Sequence, residues 1–377
     1  MKMNKKKILV CSEFFEPDIG GAQEIAKRIA LILSEDNEVH ILTSYNSARL
    51  NINDKYHVHH FRVTGNYVNG IKGDKNIVLN FLKNENFDQI IFYAAQQWTF
   101  DIFLKYDYLF NKNTRYFLIP CGFSKINFPH YYFYFKKIVH FSKYIEKFIF
   151  HTKNGKDFIY LSNKIKKNQI KIIKNGFIDN IPFKSVEIKN YYHMDANTKI
   201  IPYIANFNYL KGQIRLLKIF NNVKTKTPIN LIFYSKSNFY DRFFYYRFFL
   251  FYKKFFFKND MINISIHFDA PREYIETILK NSFLYLFCSR FEYSPLVIFE
   301  AIKYTLPVIS YDVGDVNEVV KKNKFGLVVN NNKKFVSCLN RLLENDQMLT
   351  LFKNNIKRNK DLYSWSNISK KYVSIFK

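Results

Sequence analysis

The chain has 377 residues, 48% of them hydrophobic, and a formal net charge of +27. That length and apolar content suit two ordinary globular domains and exclude a disordered chain. No apolar run is long and charge-free enough to span a bilayer, and the charge calls for an acidic partner: nucleic acid, anionic lipid or a phosphorylated substrate.

The start is basic and then apolar, which imitates a signal peptide. The apolar part is too short, and Glu13 and Glu16 follow at once. Lys7 to Cys11 therefore reads as a strand. A loop from Ser12 to Gly21 and a helix with Ile25, Ile29 and Leu33 on one face come next. Glu38 to Leu42 is a second strand. This is a βαβ opening with Gly20-Gly21 at the strand-to-helix turn, where glycines let a ligand approach the backbone. His57, Val58, His59 and His60 fall in a predicted strand. Metal binding there would need further ligands, and none is suggested nearby, so a structural or surface role is the preferred reading. Further strands are predicted at Gln89 to Tyr93, Tyr116 to Pro120, Lys147 to His151 and Gln169 to Ile173, with helical or irregular segments between them. Cys11, Cys121, Cys288 and Cys338 show neither metal nor disulfide spacing, which fits a reducing cytosol.

Asp179 to Thr198 is polar and unpatterned, a linker by composition. A second α/β half follows. Its predicted strands are Ile200 to Ile204, Ile229 to Tyr234, Ile262 to Phe268 and Phe283 to Cys288. Two segments combine aromatic and basic residues: Phe128 to Phe150, and Phe239 to Lys258. The second is too charged to span a bilayer. On an ideal helical wheel its basic residues Arg242, Arg247, Lys253, Lys254 and Lys258 share about half the circumference, with aromatics opposite. It reads first as a buried aromatic helix under a solvated basic rim. The rival is a helix lying in a membrane interface.

The stretch from Ser289 to Glu318 carries the chemistry. A helix should open there with Ser294 as its N-cap and Pro295 at its first position. Such a helix N-terminus, leaving the carboxyl end of a parallel strand, is an anion site. Glu292 and Glu300 frame it and can accept hydrogen bonds from sugar hydroxyls. The pattern suits an anionic centre with a hydroxylated group on each side, as in a nucleotide sugar. Glu292, Glu300, Pro307-Val308, Gly314 and Glu318, in that order, resemble the donor-binding motif of the family-four retaining glycosyltransferases, the glycosyl transferases group 1. Pro17 with Gly20-Gly21 resembles the family's N-terminal signature. Lys174-Asn175-Gly176 resembles the turn that closes its first domain.

The resemblance implies a GT-B fold: two Rossmann-like doubly wound α/β domains facing across a cleft. It implies an acceptor domain over 1–180, a linker over 181–198, a donor domain over 199–360 and a last helix, 361–377, crossing back to the first domain. It places Gly20 and Gly21 near the donor phosphates, Asp269 beside the base, Glu292 on the transferred sugar and Glu300 on the ribose. Ser294 and Leu296 would begin the backbone cradle, since Pro295 offers no N–H. Lys211 would bind the diphosphate, and Lys211 and Glu292 are the catalytic candidates. Two positions depart from the family pattern. Asn206 stands where a diphosphate-binding arginine is usual, and Pro120-Cys121-Gly122-Phe123 where many members carry a histidine. The reading is a transferase using a nucleotide sugar such as a UDP- or GDP-sugar, with no metal and no cofactor. Its acceptor would be a glycan, lipid-linked at a bacterial envelope, with an anionic membrane surface as a further partner and no nucleic acid. The location would be cytoplasmic, on the inner face of the membrane. Three rivals stay open: a nucleotide-sugar epimerase of the same fold, a basic nucleic-acid-binding protein and an inactive relative.

Overall fold

Apolar runs without alternation become strands buried on both faces, as a parallel sheet covered by helices requires. The computed structural model describes residues 5–18, 20–49, 55–179, 197–236 and 242–377. Two units divide the chain: Met1–Asn175 with Ile368–Lys377, and Gly176–Asn367. The boundaries expected from the sequence lie at 180 and 361 instead. The linker expected at 181–198 lies almost wholly outside the described residues.

The first unit contains β1 (Lys7–Cys11), β2 (Glu38–Ser44), β3 (His57–Phe61), a hairpin of β4 (Val63–Asn66) and β5 (Gly70–Gly73), β6 (Gln89–Tyr93), β7 (Arg115–Ile119), β8 (Ile145–Phe150) and β9 (Ile170–Ile172). Seven strands form one parallel sheet in the order β3-β2-β1-β6-β7-β8-β9. The hairpin has no counterpart in the sequence reading. Its turn is held by Asn66, whose side-chain oxygen accepts from the N–H groups of Val68 and Asn69. Helices α1 (Gly21–Leu33), α2 (Lys75–Asn84), α3 (Trp98–Lys105), α4 (Tyr132–Phe141) and α5 (Lys156–Leu161) alternate with the strands. Ile25, Ile29 and Leu33 face the core from α1, as their spacing predicts.

The second unit contains β10 (Lys199–Ile204), β11 (Ile229–Ser235), β12 (Ile262–Phe268), β13 (Tyr285–Phe287), β14 (Val308–Tyr311) and β15 (Gly326–Val329). They pair in parallel as β10-β11-β12 and β13-β14-β15. The Phe283 N–H, just before β13, donates to the Ile200 carbonyl of β10 at 2.9 Å. The spatial order is thus β12-β11-β10-β13-β14-β15, the 3-2-1-4-5-6 order of a doubly wound dinucleotide-type domain. Its helices are α6 (Gln213–Phe220), α7 (Arg247–Phe256), α8 (Arg272–Lys280), α9 (Leu296–Lys303), α10 (Asn332–Glu344), α11 (Asp346–Asn359) and α12 (Trp365–Phe376). From Ile368 onward α12 belongs to the first unit, where Phe376 packs edge-on against Phe117 and its carbonyl accepts from Gln89.

One preferred reading fails. The aromatic segment is not a buried helix under a basic rim. Phe249 is the buried residue of α7, while Phe248, Phe251, Phe255 and Phe256 are exposed alongside Arg247 and Lys254. A run this rich in Phe and Tyr has more aromatic rings than one contact stripe can cover, so some face outward whichever side packs. The segment Phe128 to Phe150 behaves alike at its start: Phe128, Tyr132 and Phe133 are exposed, with Lys136 over the Tyr132 ring. Among the described residues no helix is long and apolar enough to cross a membrane.

Candidate functional site

In a doubly wound sheet ligands bind beyond the carboxyl ends of the strands. Most of the predicted residues of the second unit gather there: Asn206 and Lys211 after β10, Asp269 after β12, and Glu292, Ser294 and Leu296 after β13. Glu300 follows within α9.

Two glycines let these loops close up. Gly212 precedes α6 in the left-handed region (φ +80°), and a Cβ there would collide with the Cys288 carbonyl oxygen. Gly314 (φ +58°) meets the Tyr293 carbonyl in the same way. Neither position tolerates a side chain, and together they hold the Glu292 loop from both sides. Tyr203 adds a polar tie. Its hydroxyl donates to the Lys211 carbonyl and accepts from the Cys288 N–H. Gln213 donates to the Asn206 carbonyl at 2.7 Å. The loop's backbone is fixed from three directions, so the Lys211 side chain starts from a defined place.

That side chain meets Glu292, Nζ to Oε1 at 2.5 Å, with both groups partly buried. Arg290 supplies a second cation on the same loop. Its N–H donates to the Leu210 carbonyl at 2.7 Å, and its guanidinium lies over the Tyr209 ring, 4.3 Å from the centroid. The second glutamate is also paired: Arg272 donates to Glu300 Oε1 at 2.6 Å. Arg272 reaches Glu276 as well, which is fully buried and accepts from Lys303 at 3.1 Å and from the Tyr304 hydroxyl. Burial pushes the Glu276 carboxyl up, but Tyr304, Arg272 and Lys303 outweigh it and leave it below the ordinary range. The Arg272 guanidinium is likewise driven down by burial and up, on balance, by Glu300 and Glu276.

Ser294 does not cap the helix. α9 begins at Leu296 with Pro295 at the cap position and no side-chain cap, and the Ser294 hydroxyl instead donates to buried Asp315 at 2.6 Å. Asp315 competes for it because the Gly314 turn brings that carboxylate up beside the helix mouth. The anion-binding character of the mouth follows from its uncapped first turn. Asp269 takes a left-handed conformation (φ +52°) and leads through Pro271 into Arg272. Sequence reasoning missed Arg272 and Glu276. Their (i, i+4) spacing on a helix was readable. The Arg272–Glu300 link, between neighbouring helices, was not.

In the first unit Gly20 is extended (φ 179°) at the cap of α1, and Gly21 is that helix's first residue. A Cβ at Gly20 would meet only the flexible Gln23 side chain, so the backbone does not demand glycine there. Cys121 and Gly122 both have positive φ after β7. Burial pushes the Cys121 thiol up to about 12, which makes it a neutral group. Asp157 fixes this turn by accepting from the Gly122 N–H at 2.9 Å. Two more carboxyls stand at these strand ends. Burial raises Glu13 to about 7, against the Trp98 N–H. It raises Asp101 to about 7 too, against hydrogen bonds from the Tyr67 N–H (2.8 Å) and the Tyr134 hydroxyl (2.7 Å).

Residues 186–359 match the family described as Glycosyl transferases group 1. Among solved structures, the sucrose-phosphate synthase tll1590 from Thermosynechococcus elongatus superposes with a TM-score of 0.78 at 14% identity, over 99% of this chain and 98% of that one. Anabaena Alr3699/HepE in complex with UDP gives a TM-score of 0.79 at 15% identity, over 98% and 99%. WaaG, a glycosyltransferase involved in lipopolysaccharide biosynthesis, gives 0.67 at 15%, again over 98% and 99%. No curated protein sequence matches the chain. At these identities the structural likeness shows the GT-B fold alone, and the family match covers residues 186–359. The chain is a glycosyltransferase with the GT-B fold, and its residues 186–359 match the glycosyl transferases group 1.

Proposed function

We propose that the chain is a retaining transferase that moves a sugar from a nucleoside-diphosphate sugar to a hydroxyl of a lipid-linked bacterial glycan. The observation that carries this reading is the Lys211–Glu292 pair beside the uncapped first turn of α9. A diphosphate is the stronger partner for Lys211. On binding it would draw the ammonium away and leave Glu292 free to accept from the sugar's hydroxyls. In the reaction the bond from the anomeric carbon to the diphosphate breaks and a bond to the acceptor oxygen forms on the same face. The acceptor proton leaves with the diphosphate. Negative charge grows on the leaving group, where Lys211, Arg290 and the α9 N–H groups would stabilise it. Arg290 would replace the charge that Asn206 does not provide. Glu292 would orient the sugar and is not assigned as a nucleophile. Glu300 would hold the ribose with Oε2 while Arg272 holds Oε1. Asp269, Ser294 and Leu296 keep their proposed places around the donor.

Support for a nucleotide-sugar donor comes from HepE, solved with UDP-glucose, and for a surface-glycan acceptor from WaaG. The test is a screen of nucleotide sugars, donor by donor, for hydrolysis and transfer, with the product's anomeric configuration read by NMR. Inversion would overturn the stereochemical reading. An epimerised donor without any acceptor would favour the epimerase.

The lipid-linked part rests on the exposed Phe248, Phe251 and Phe255 of α7 beside Arg247 and Lys254. Each basic residue at an anionic surface contributes about 1 kcal/mol, screened by salt. Flotation with anionic vesicles should weaken between low and physiological salt, and a variant with Arg247, Lys253 and Lys254 changed to Gln should float less. If the unchanged protein never floats, the acceptor need not be lipid-linked.

A further inference from the structure

We infer that Glu38, His40 and His57 form a site for one divalent transition-metal ion of the zinc type on one face of β2 and β3, with His59 holding His40 in the ligating tautomer. The strand register builds it. Side chains two apart on a strand share a face, which pairs Glu38 with His40 and His57 with His59. Parallel pairing then sets His40 opposite His57, and Leu42 opposite His59. A histidine run that finds no ligand within its own segment acquires two from the neighbouring strand.

The distances suit a shared ion. One ligand atom each from Glu38, His40 and His57 lies within 4.8 Å of the others. His40 Nε2 is 2.8 Å from Glu38 Oε1, and its Nδ1 is 2.8 Å from His59 Nε2. Two ligands about 2.0–2.2 Å from a tetrahedral zinc stand about 3.4 Å apart, so a small rotation of the exposed Glu38 opens the space. With the ion on Nε2, His40 donates its Nδ1–H to His59 Nε2, the outer-shell bond that metal-ligating histidines characteristically make. Phe87 and Phe81 wall the inner side, packing on His40 and His59 respectively. Glu38 and His57 face solvent and leave a way in. The neighbouring cation, Lys7, is held by Glu85 at 2.5 Å. Two imidazoles, one carboxylate and water form a set that suits Zn²⁺, Co²⁺ or Ni²⁺ rather than Mg²⁺ or Ca²⁺.

Its place separates it from the transfer chemistry. Glu38 pairs with Lys7 at the amino end of β1. The Gly20-Gly21 turn follows the opposite end, about 13 Å along the strand at 3.3 Å per residue. The ion would clamp the edge strand β3 to β2 and would not touch the donor.

The full chain, stripped with EDTA, is titrated with Zn²⁺ by calorimetry and with Co²⁺ by visible absorption. One equivalent should bind, and Zn²⁺ should raise the melting temperature until EDTA returns it. The double variant Glu38→Gln/His57→Gln should lose this binding while melting like the unchanged protein in EDTA, since both side chains face solvent. His59→Gln should weaken affinity about 10–100-fold, the usual effect of removing an outer-shell partner. The inference is overturned if the unchanged chain binds no stoichiometric Zn²⁺ or Co²⁺, or if the double variant binds with undiminished affinity.

Discussion

Carboxylates line the strand ends in both units, and two groups of them are held differently. In the second unit Glu292, Glu300 and Glu276 each accept from a cation: Lys211, Arg272, and Arg272 with Lys303. In the first, Asp101 and Asp157 are held by neutral donors: a tyrosine hydroxyl and backbone N–H groups. Burial penalises the charged form in both places. A facing cation overrides that penalty at Glu276, while neutral donors do not override it at Asp101. Glu276 is therefore held in its charged form by its partners. In the first unit Asp101 and Glu13 lose and gain a proton near neutrality.

The largest expected effect comes from breaking the paired side. Glu276→Gln leaves Arg272 and Lys303 against a neutral group, and removing one partner of a buried ion pair costs roughly 3–5 kcal/mol. Urea unfolding would measure it at pH 7. A loss below about 1 kcal/mol would mean that water already screens the cluster, and the contrast between the units would weaken. Lys211→Ala comes next. The fold should survive, since Lys211 lies in a loop and is partly exposed. Turnover should fall about a hundredfold or more if the cation stabilises the leaving diphosphate. Near-normal turnover would shift that role to Arg290.

Glu300→Gln sharpens the same side. Loss of one charged hydrogen bond should weaken free-nucleotide binding by roughly 1.5–3 kcal/mol. Arg272 stays anchored on Glu276, so the melting temperature should move little. Calorimetry with the nucleotide decides, and unchanged affinity would remove Glu300 from the donor site.

The parts of this molecule readable in its sequence are those where a residue's neighbour is set by its own segment. Ile8 to Cys11 and Leu231 to Tyr234 are apolar without alternation, so both faces had to be covered, and they are. The Lys211 and Glu292 loops were legible as strand-to-helix turns. Contacts that depend on another segment were not. Ser294 carried a good cap residue's chemistry, yet Asp315, brought close by the Gly314 turn, takes its hydroxyl. Arg272 meets Glu300 across two helices, and the His40–His59 bond needs the register of β2 on β3. Composition misled outright at α7. Aromatic content says how much surface wants covering but not how much the neighbours cover.

The smallest effect tests the neutral side, and its sign is the opposite of that at Glu276. Asp101 is raised from its ordinary value to about 7. The folded state thus binds a proton between about pH 4 and 7 that the unfolded chain has released. Its contribution to stability is fully present below the unfolded value and is lost as pH rises through 7. From pH 6 to 8 the loss is on the order of 1 kcal/mol, since a tenfold change in proton affinity is worth about 1.4 kcal/mol. Asp101→Asn removes the titration. Its amide oxygen can accept from the Tyr67 N–H and its amino group can donate to the Tyr134 hydroxyl. The variant should therefore match the unchanged protein near pH 4, exceed it at pH 6 and exceed it by more at pH 8, whereas Glu276→Gln should be weaker than the unchanged protein at pH 6 and at pH 8. Glu13, raised to about 7 as well, leaves a residual slope in the Asp101 variant. Urea unfolding at pH 6 and pH 8 for both proteins measures the difference. An Asp101→Asn chain that loses stability with pH as steeply as the unchanged one would show that this carboxyl does not titrate there. The contrast between paired and neutral strand ends would then rest on geometry alone.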